Sequence, residues 1–96
     1  MNVVYSPRAA RDLEAIAAYH HVVAGPQIAA AIGTRIEHVI NVVAEHPHSA
    51  PRVLQRPGVR VALALRYPYK IFYRIRGDAI EILHIRHTAR RPWAGR

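Results

Sequence analysis

Apolar residues recur at helical spacing through the first half of the chain. Ser6-Pro7 is typical of a helix start, because serine accepts hydrogen bonds from free backbone N–H groups and proline has no N–H to leave unpaired. Gly25-Pro26 ends this helix and begins a second one, which stops before Pro47. Because the connection between the two helices is so short, we predict that they form an antiparallel hairpin. The second helix carries one apolar stripe, formed by Ile28, Ile32, Ile36, Val39, Ile40 and Val43.

From Val59 onward the spacing of apolar residues changes from about 3.6 residues to about 2, which is typical of strands. Three strands are predicted, over residues 59–66, 69–76 and 79–87. Gly77-Asp78 is predicted to be a two-residue hairpin turn between the last two strands. These three strands are predicted to form a small antiparallel β-sheet.

Two further segments complete the predicted fold. A short extended stretch, Asn2–Tyr5, precedes the helices, and a loop with three prolines covers residues 46–58. At this length one core is expected, so the prediction is a single α+β domain over residues 1–96. In it, the helical hairpin packs on the small antiparallel sheet.

The predicted turn sets the register of the last two strands, with Ile75 opposite Ile80 and Tyr73 opposite Ile82. Strict alternation then assigns each side chain to one face of the sheet. The face toward the helices is predicted to hold Val61, Leu63, Ile71, Tyr73, Ile75, Ile80 and Ile82. The opposite, open face is predicted to be basic and partly apolar, with Arg60, Lys70, Phe72, Arg74, Glu81, Leu83, Ile85 and His87.

Basic residues are concentrated in the second half of the chain. Residues 1–48 carry three arginines against four carboxylates, a net charge of −1, whereas residues 49–96 carry eleven basic residues against two carboxylates, a net charge of +9. All of the basic residues except Lys70 are arginines, whose planar guanidinium group suits phosphate or carboxylate recognition. The second half therefore favours a polyanionic target or an acidic protein partner.

Several kinds of chemistry are excluded by the residues present. With no cysteine, the chain has no disulfide framework and no thiol nucleophile. The seven histidines lack ligand spacing with a nearby carboxylate, and the few hydroxyl groups form no Ser/His/Asp arrangement, so we expect no metal site and no cofactor. No apolar run approaches the roughly 18 residues of a membrane span, and no secretion signal opens the chain. We therefore expect a cytoplasmic protein with no membrane partner.

An ordered series of short motifs resembles the RelE/ParE superfamily of toxins from type II toxin–antitoxin systems. The resemblance spans nearly the whole chain, and each motif alone is loose. In chain order the motifs are residues 5–9 (YSPRA), Asp12-Leu13 with Ile16, residues 45–47 (EHP), residues 66–75 (RYPYKIFYRI), residues 80–87 (IEILHIRH), Arg90-Arg91 and Trp93.

The resemblance implies a small acidic antitoxin as partner and one of two activities. RelE-type members cleave mRNA on the ribosome, and the resemblance would then assign catalysis to Lys70, Arg60, His87 and the pair Arg90 and Arg91. ParE-type members poison DNA gyrase without a known bond-cleaving step of their own. Two departures weaken the RelE-type assignment: Ala62 and Leu63 stand where a second basic residue is expected, and no tyrosine follows Arg91.

These departures favour a ParE-like gyrase inhibitor, with a RelE-like ribosome-dependent endoribonuclease as the alternative and a plain nucleic-acid-binding module as a weaker third class. Antitoxin binding is predicted at the apolar residues of the open face, Phe72, Leu83 and Ile85. The predicted target-binding residues are Arg60, Lys70, Arg86, Arg90, Arg91 and Trp93.

Overall fold

A computed structural model describes residues 1–88 of the chain. The two predicted helices and the three predicted strands follow one another in the predicted order, and the stretch predicted as extended, Asn2–Tyr5, is a fourth strand. Their bounds are β1 Asn2–Tyr5, α1 Pro7–Ala24, α2 Pro26–Glu45, β2 Val59–Ala64, β3 Tyr69–Arg76 and β4 Ala79–His87. No helix among these residues is long and apolar enough to cross a membrane.

The predicted helical hairpin is confirmed, and its ends are made by the predicted residues. The Ser6 hydroxyl oxygen accepts a hydrogen bond from the backbone N–H of Ala9 at 3.0 Å, and Pro7 occupies the first helical position. Gly25 joins the two helices with a φ of 89°, a conformation that glycine adopts without strain. Its N–H donates to the carbonyl oxygen of His21 at 3.1 Å. A single residue therefore reverses the chain between α1 and α2.

The four strands form one sheet in the order β1-β4-β3-β2. β3 is antiparallel to both of its neighbours, as predicted. β1 pairs with β4 in the parallel direction, which the sequence analysis did not predict. Parallel neighbours need a long connection, and here all the other elements lie between β1 and β4 along the chain. The N-terminal strand β1 therefore forms one edge of the sheet, beside β4.

The core lies between the apolar stripe of α2 and one face of the sheet. Ile32, Ile36, Ile40 and Val43 of α2 are buried against sheet residues. Ile28, which the pattern placed in the same stripe, is 45% exposed because it lies in the first turn of α2, next to the hairpin connection. The sheet residues of this core are Ala62, Ala64, Tyr69, Ile71, Tyr73, Ile80, Ile82 and Ile85.

The predicted orientation of β2 is wrong. Ala62 lies opposite Ile71 and Ala64 opposite Tyr69, so these two alanines face the helices. Val61 and Leu63 lie opposite Phe72 and Lys70, on the other face. Val59, Val61 and Leu63 alternate with Arg60, Ala62 and Ala64, so the pattern favoured burial of the larger apolar residues. The smaller set faces inward, where α2 packs across the strand.

Candidate functional site

An extra residue in β4 changes which side chains share a face of the sheet. Tyr73 lies opposite Ile82, as predicted, but Phe72 lies opposite His84, so Leu83 has no partner on β3. Beyond such a bulge, each side chain of the strand lies on the face opposite to the one that strict alternation predicts. The bulge lies beside the start of α1, where the Ser6 hydroxyl donates a hydrogen bond to the carbonyl oxygen of Leu83 at 2.9 Å.

Because of the bulge, two of the predicted site residues lie on the face of the sheet opposite to the predicted one. Ile85 lies opposite Ile71 and is 2% exposed within the core, so its assignment to the open face is wrong. His87 lies opposite Tyr69 and also faces the helices. His84 and Arg86 take their places on the other face, which we call the outer face and define by Val61, Leu63, Lys70, Phe72, Arg74, Glu81, His84 and Arg86.

Arg60 also lies on the helix side of the sheet, contrary to the prediction. It is opposite Tyr73, and its guanidinium group donates to the carbonyl oxygens of His48 at 3.1 Å and Ala50 at 2.7 Å. Burial raises the pKa of Tyr73, and the positive charge of Arg60 opposes that rise, as expected for neighbours. The Tyr73 hydroxyl donates to the carbonyl oxygen of Pro47 at 2.7 Å. Arg60 and Tyr73 thus anchor the loop that follows α2.

On the outer face, the structure brings together two of the predicted target-binding residues. Lys70 of β3 lies opposite Arg86 of β4, so two cationic side chains are adjacent. Lys70 is half-buried, and Arg86 is only 8% exposed. Arg74, farther along β3, is paired with Glu81 at 2.7 Å, the cross-strand pair that the predicted register implies.

The three residues predicted to bind an antitoxin do not form one exposed patch. Phe72 is on the outer face as predicted, but it is 6% exposed and stacks on the imidazole of His84 with 6.0 Å between ring centroids. Leu83 is partly buried at the bulge. Arg90, Arg91 and Trp93 lie outside the described residues.

A hydrogen-bonded pair between α1 and β4 was missed by the sequence analysis. His84 Nδ1 donates to Asp12 Oδ2 at 2.7 Å, and the same oxygen accepts from the backbone N–H of Ile85 at 3.0 Å. His84 Nε2 is then the acceptor that faces the Arg8 guanidinium at 3.5 Å. Burial lowers the pKa of His84; the hydrogen bond and charge of Asp12 oppose this shift, while the charges of Arg8 and Arg86 add to it.

A cleft of about 670 Å³ opens beside this pair, between α1 and the end of β4. The Tyr69 hydroxyl and His20 Nε2 are 2.7 Å apart at its wall, and the His87 ring packs edge-on against Tyr69 at 5.6 Å. His87 is therefore held in an aromatic cluster on the helix side. Among residues 1–88, no three histidine or carboxylate side chains are close enough to hold a metal ion.

A family model of the ParE toxin of type II toxin–antitoxin systems, parDE, matches residues 3–92. The chain belongs to the ParE toxin family. The resemblance proposed from the sequence is confirmed, and with it the ParE branch of the RelE/ParE superfamily. A ParE-family toxin functions within a type II toxin–antitoxin system, so the family implies an antitoxin partner.

A solved ParDE structure agrees with this assignment. The chain is similar to a chain of the chromosomal ParDE toxin–antitoxin system from P. aeruginosa, with 32% identity, a TM-score of 0.78, and coverage of 91% of this chain and 95% of that one. It shares its fold with the isolated E. coli RelE toxin, at 12% identity and a TM-score of 0.67, over 94% of this chain and 86% of that one. No curated protein matches the chain.

Within residues 1–88, the residues to which the resemblance would assign RNA cleavage do not lie on one face of the sheet. General acid–base catalysis needs the acid or base within hydrogen-bond reach of the reacting atoms, with cations placed around the same phosphate. Lys70 is on the outer face, whereas Arg60 and His87 are on the helix face. The sheet separates them.

Proposed function

We propose that this ParE-family toxin inhibits DNA gyrase in the bacterial cytoplasm and is neutralised by an acidic antitoxin. One observation carries the choice of gyrase over mRNA: Lys70 lies on one face of the sheet, while Arg60 and His87 lie on the other. Arg60 is further occupied by two carbonyl oxygens of the loop after α2. A scissile phosphate in contact with Lys70 is therefore out of reach of the other two groups.

Inhibition of gyrase by binding requires a surface and no proton relay. Among the described target-binding residues, Lys70 is the one whose charge is accessible, because Arg60 holds a loop and Arg86 is buried. The remaining candidates, Arg90, Arg91 and Trp93, lie beyond the described residues. Arginine and tryptophan are typical of the side chains that dominate binding energy at protein interfaces. We therefore assign the main target contacts to this C-terminal segment.

An acidic antitoxin is the partner that the charge of the chain favours. The protein carries a formal net charge of +8, concentrated in residues 49–96. Long-range attraction between oppositely charged proteins accelerates their association and is screened by salt. The association rate constant with the antitoxin should therefore fall as the salt concentration rises. A rate constant that does not change with salt would contradict a charge-steered complex.

Three variants separate gyrase inhibition from RNA cleavage. The proteins are Lys70→Ala, a truncation that ends at Ala89, and Arg76→Ala as a control on an exposed arginine of β3. Each is assayed for inhibition of supercoiling by purified gyrase and for mRNA cleavage on programmed ribosomes. We expect the truncation to abolish inhibition, and Lys70→Ala and Arg76→Ala to act alike and weakly.

Two outcomes contradict this proposal. If the protein is a ribonuclease, Lys70→Ala should reduce mRNA cleavage by about a hundredfold or more, because a cation that stabilises the transition state is lost. If the truncated protein is folded and inhibits gyrase fully, the C-terminal segment does not provide the main contacts. Circular dichroism of each variant distinguishes these results from unfolding.

A further inference from the structure

A second cleft lies between α2 and the turn that joins β2 to β3. Its volume is about 440 Å³. We call it the α2 cleft; its lining residues are Ala31, Thr34, Arg35, His38, Arg66 and Tyr67. It is separate from the 670 Å³ cleft, with which it shares no lining residue.

The helical wall of the α2 cleft is a polar stripe. Ala31, Thr34, Arg35 and His38 follow the i, i+3, i+4, i+7 spacing that places side chains on one helix face. This stripe runs beside the buried apolar stripe of α2. The opposite wall comes from Arg66 and Tyr67, in the turn after β2. Two secondary-structure elements therefore each contribute one arginine.

Arg35 has a buried donor that no protein group satisfies. Its Nε atom is inaccessible to solvent and has no hydrogen-bond partner among residues 1–88. A buried donor left unpaired is unfavourable, and more so when it belongs to a charged group. An acceptor in the cleft reaches this atom only if the Arg35 side chain rotates toward the cleft, and a bound acceptor favours that rotation because it removes the penalty.

No carboxylate lines the α2 cleft. The ion pairs within the described part of the chain all lie elsewhere: Glu81 pairs with Arg74 and Arg76, and Asp12 pairs with His84. The nearest carboxylate in sequence, Glu37, acts on Tyr5 of β1, whose pKa is raised by burial and by that negative charge. The positive charges of Arg35 and Arg66 are therefore not neutralised by an acidic side chain of the described chain.

We propose that the α2 cleft binds a phosphate group between the guanidinium groups of Arg35 and Arg66. Guanidinium groups match phosphate oxygens geometrically and form charge-assisted hydrogen bonds with them. Thr34, His38 and Tyr67 line the same cleft and offer further donors. A phosphate group has three or four free oxygens that can accept from these donors, whereas a carboxylate has two oxygens. The phosphate is either free or the terminal group of a nucleotide, and the site is independent of the proposed action on gyrase.

The binding test follows the Arg35 Nε–H signal of the full-length, ¹⁵N-labelled protein by NMR. Inorganic phosphate is titrated at constant ionic strength, with sodium chloride as the balancing salt. We expect a saturable shift of the Arg35 Nε–H signal. In parallel titrations, adenosine monophosphate and adenosine distinguish the sources: tighter binding of the nucleotide than of phosphate indicates a nucleotide site, equal binding indicates free phosphate, and adenosine alone should not shift the signal.

Substitutions locate the site. Arg66→Gln should weaken phosphate binding by about tenfold or more, because it removes a charge-assisted hydrogen bond. Arg35→Gln, which lacks the Nε–H signal, is followed through the backbone N–H signals of Thr34 and His38 and should weaken binding to a similar extent. Arg76→Gln removes the same charge from the far end of β3 and should leave the affinity unchanged. If Arg35→Gln fails to fold, the exposed Arg66 still provides the comparison. The proposal is overturned if the Arg35 signal does not saturate, if chloride shifts it equally, or if Arg66→Gln and Arg76→Gln have the same effect.

Discussion

The carboxylate of Asp12 on α1 is hydrogen-bonded to the imidazole of His84 on β4 at 2.7 Å. The same carboxylate oxygen also accepts the backbone N–H of Ile85, at a point on β4 beyond the end of β1. The Asp12 carboxylate therefore accepts the hydrogen bond that a carbonyl oxygen of a neighbouring strand would otherwise accept from the Ile85 N–H. One side chain thus fixes α1 against the end of the sheet, beside the bulge that positions Arg86 and His87.

Replacement of Asp12 should destabilise the protein. Asp12→Ala leaves the Ile85 N–H and the His84 ring without their acceptor, and we expect a loss of about 1–3 kcal/mol in the free energy of unfolding. Asp12→Asn keeps one acceptor oxygen and should lose less. Urea denaturation measures both changes. Glu14→Ala, at an exposed position of the same helix, is the matched control and should change stability by less than about 0.5 kcal/mol. Equal effects of Asp12→Ala and Glu14→Ala would show that this contact contributes nothing.

The stability of the protein should fall as the pH is lowered through the range in which unfolded histidine titrates. Burial lowers the pKa of His84 in the folded protein from the ordinary value of 6.5. As the pH falls, the unfolded chain therefore binds a proton on this histidine before the folded protein does. The stability contributed by neutral His84 is complete at pH values above 6.5 and is lost as the pH falls below that value. Protonation at Nε2 would also place a positive charge against Arg8.

Urea denaturation at a series of pH values between about 5 and 8 tests this effect. His84→Gln should flatten the decline of stability with falling pH, whereas His21→Gln, at an exposed position on α1, should leave it in place. If the His84→Gln protein retains the wild-type slope, the titration of His84 is not its source.

The fold was predictable from the sequence wherever a local signal defined it. Ser6-Pro7 and Gly25-Pro26 define the helix ends, and the Gly77-Asp78 turn correctly pairs Arg74 with Glu81. The parallel pairing of β1 was not predictable, because four residues at the chain start carry no signal for a partner more than seventy residues away.

The candidate site was less predictable because its geometry depends on tertiary contacts. The bulge at Leu83 accompanies a hydrogen bond from Ser6, a residue whose only evident role in the sequence was to begin a helix. Without the bulge, alternation places Ile85 and His87 on the wrong face. Asp12 has the spacing of a solvated helix residue, and only the docking of α1 on β4 turns it toward His84. Among the predicted site residues, Lys70 and Phe72 lie on the predicted face because the extra residue is in β4 and the alternation of β3 is uninterrupted.

The apolar stripe of α2 offers a test of the core with an internal control. Ile36→Asp places an unpaired carboxylate at a fully buried position and should lower the free energy of unfolding by at least about 3 kcal/mol. Ile28→Asp makes the same chemical change at an exposed position of the same helix and should cost less than about 1 kcal/mol. Thermal denaturation compares the two. Similar melting temperatures would mean that the buried face of α2 has been assigned incorrectly.

Arg60 should act on stability and leave target binding unchanged. Arg60→Ala removes two hydrogen bonds to the loop after α2, and we expect a loss of about 1–3 kcal/mol in the free energy of unfolding. At a temperature where the variant remains folded, its inhibition of gyrase should equal that of the wild type. A folded Arg60→Ala protein that has lost inhibition would instead place Arg60 in the target contact.

One comparison on the unmodified protein tests the proposed action on gyrase most directly. The purified chain is added to DNA gyrase with relaxed plasmid, and in parallel to ribosomes programmed with mRNA. We predict that supercoiling is inhibited, and that the mRNA stays intact because Lys70 lies on the opposite face of the sheet from Arg60 and His87. Cleavage of the mRNA with undiminished supercoiling would contradict the proposed inhibition of gyrase.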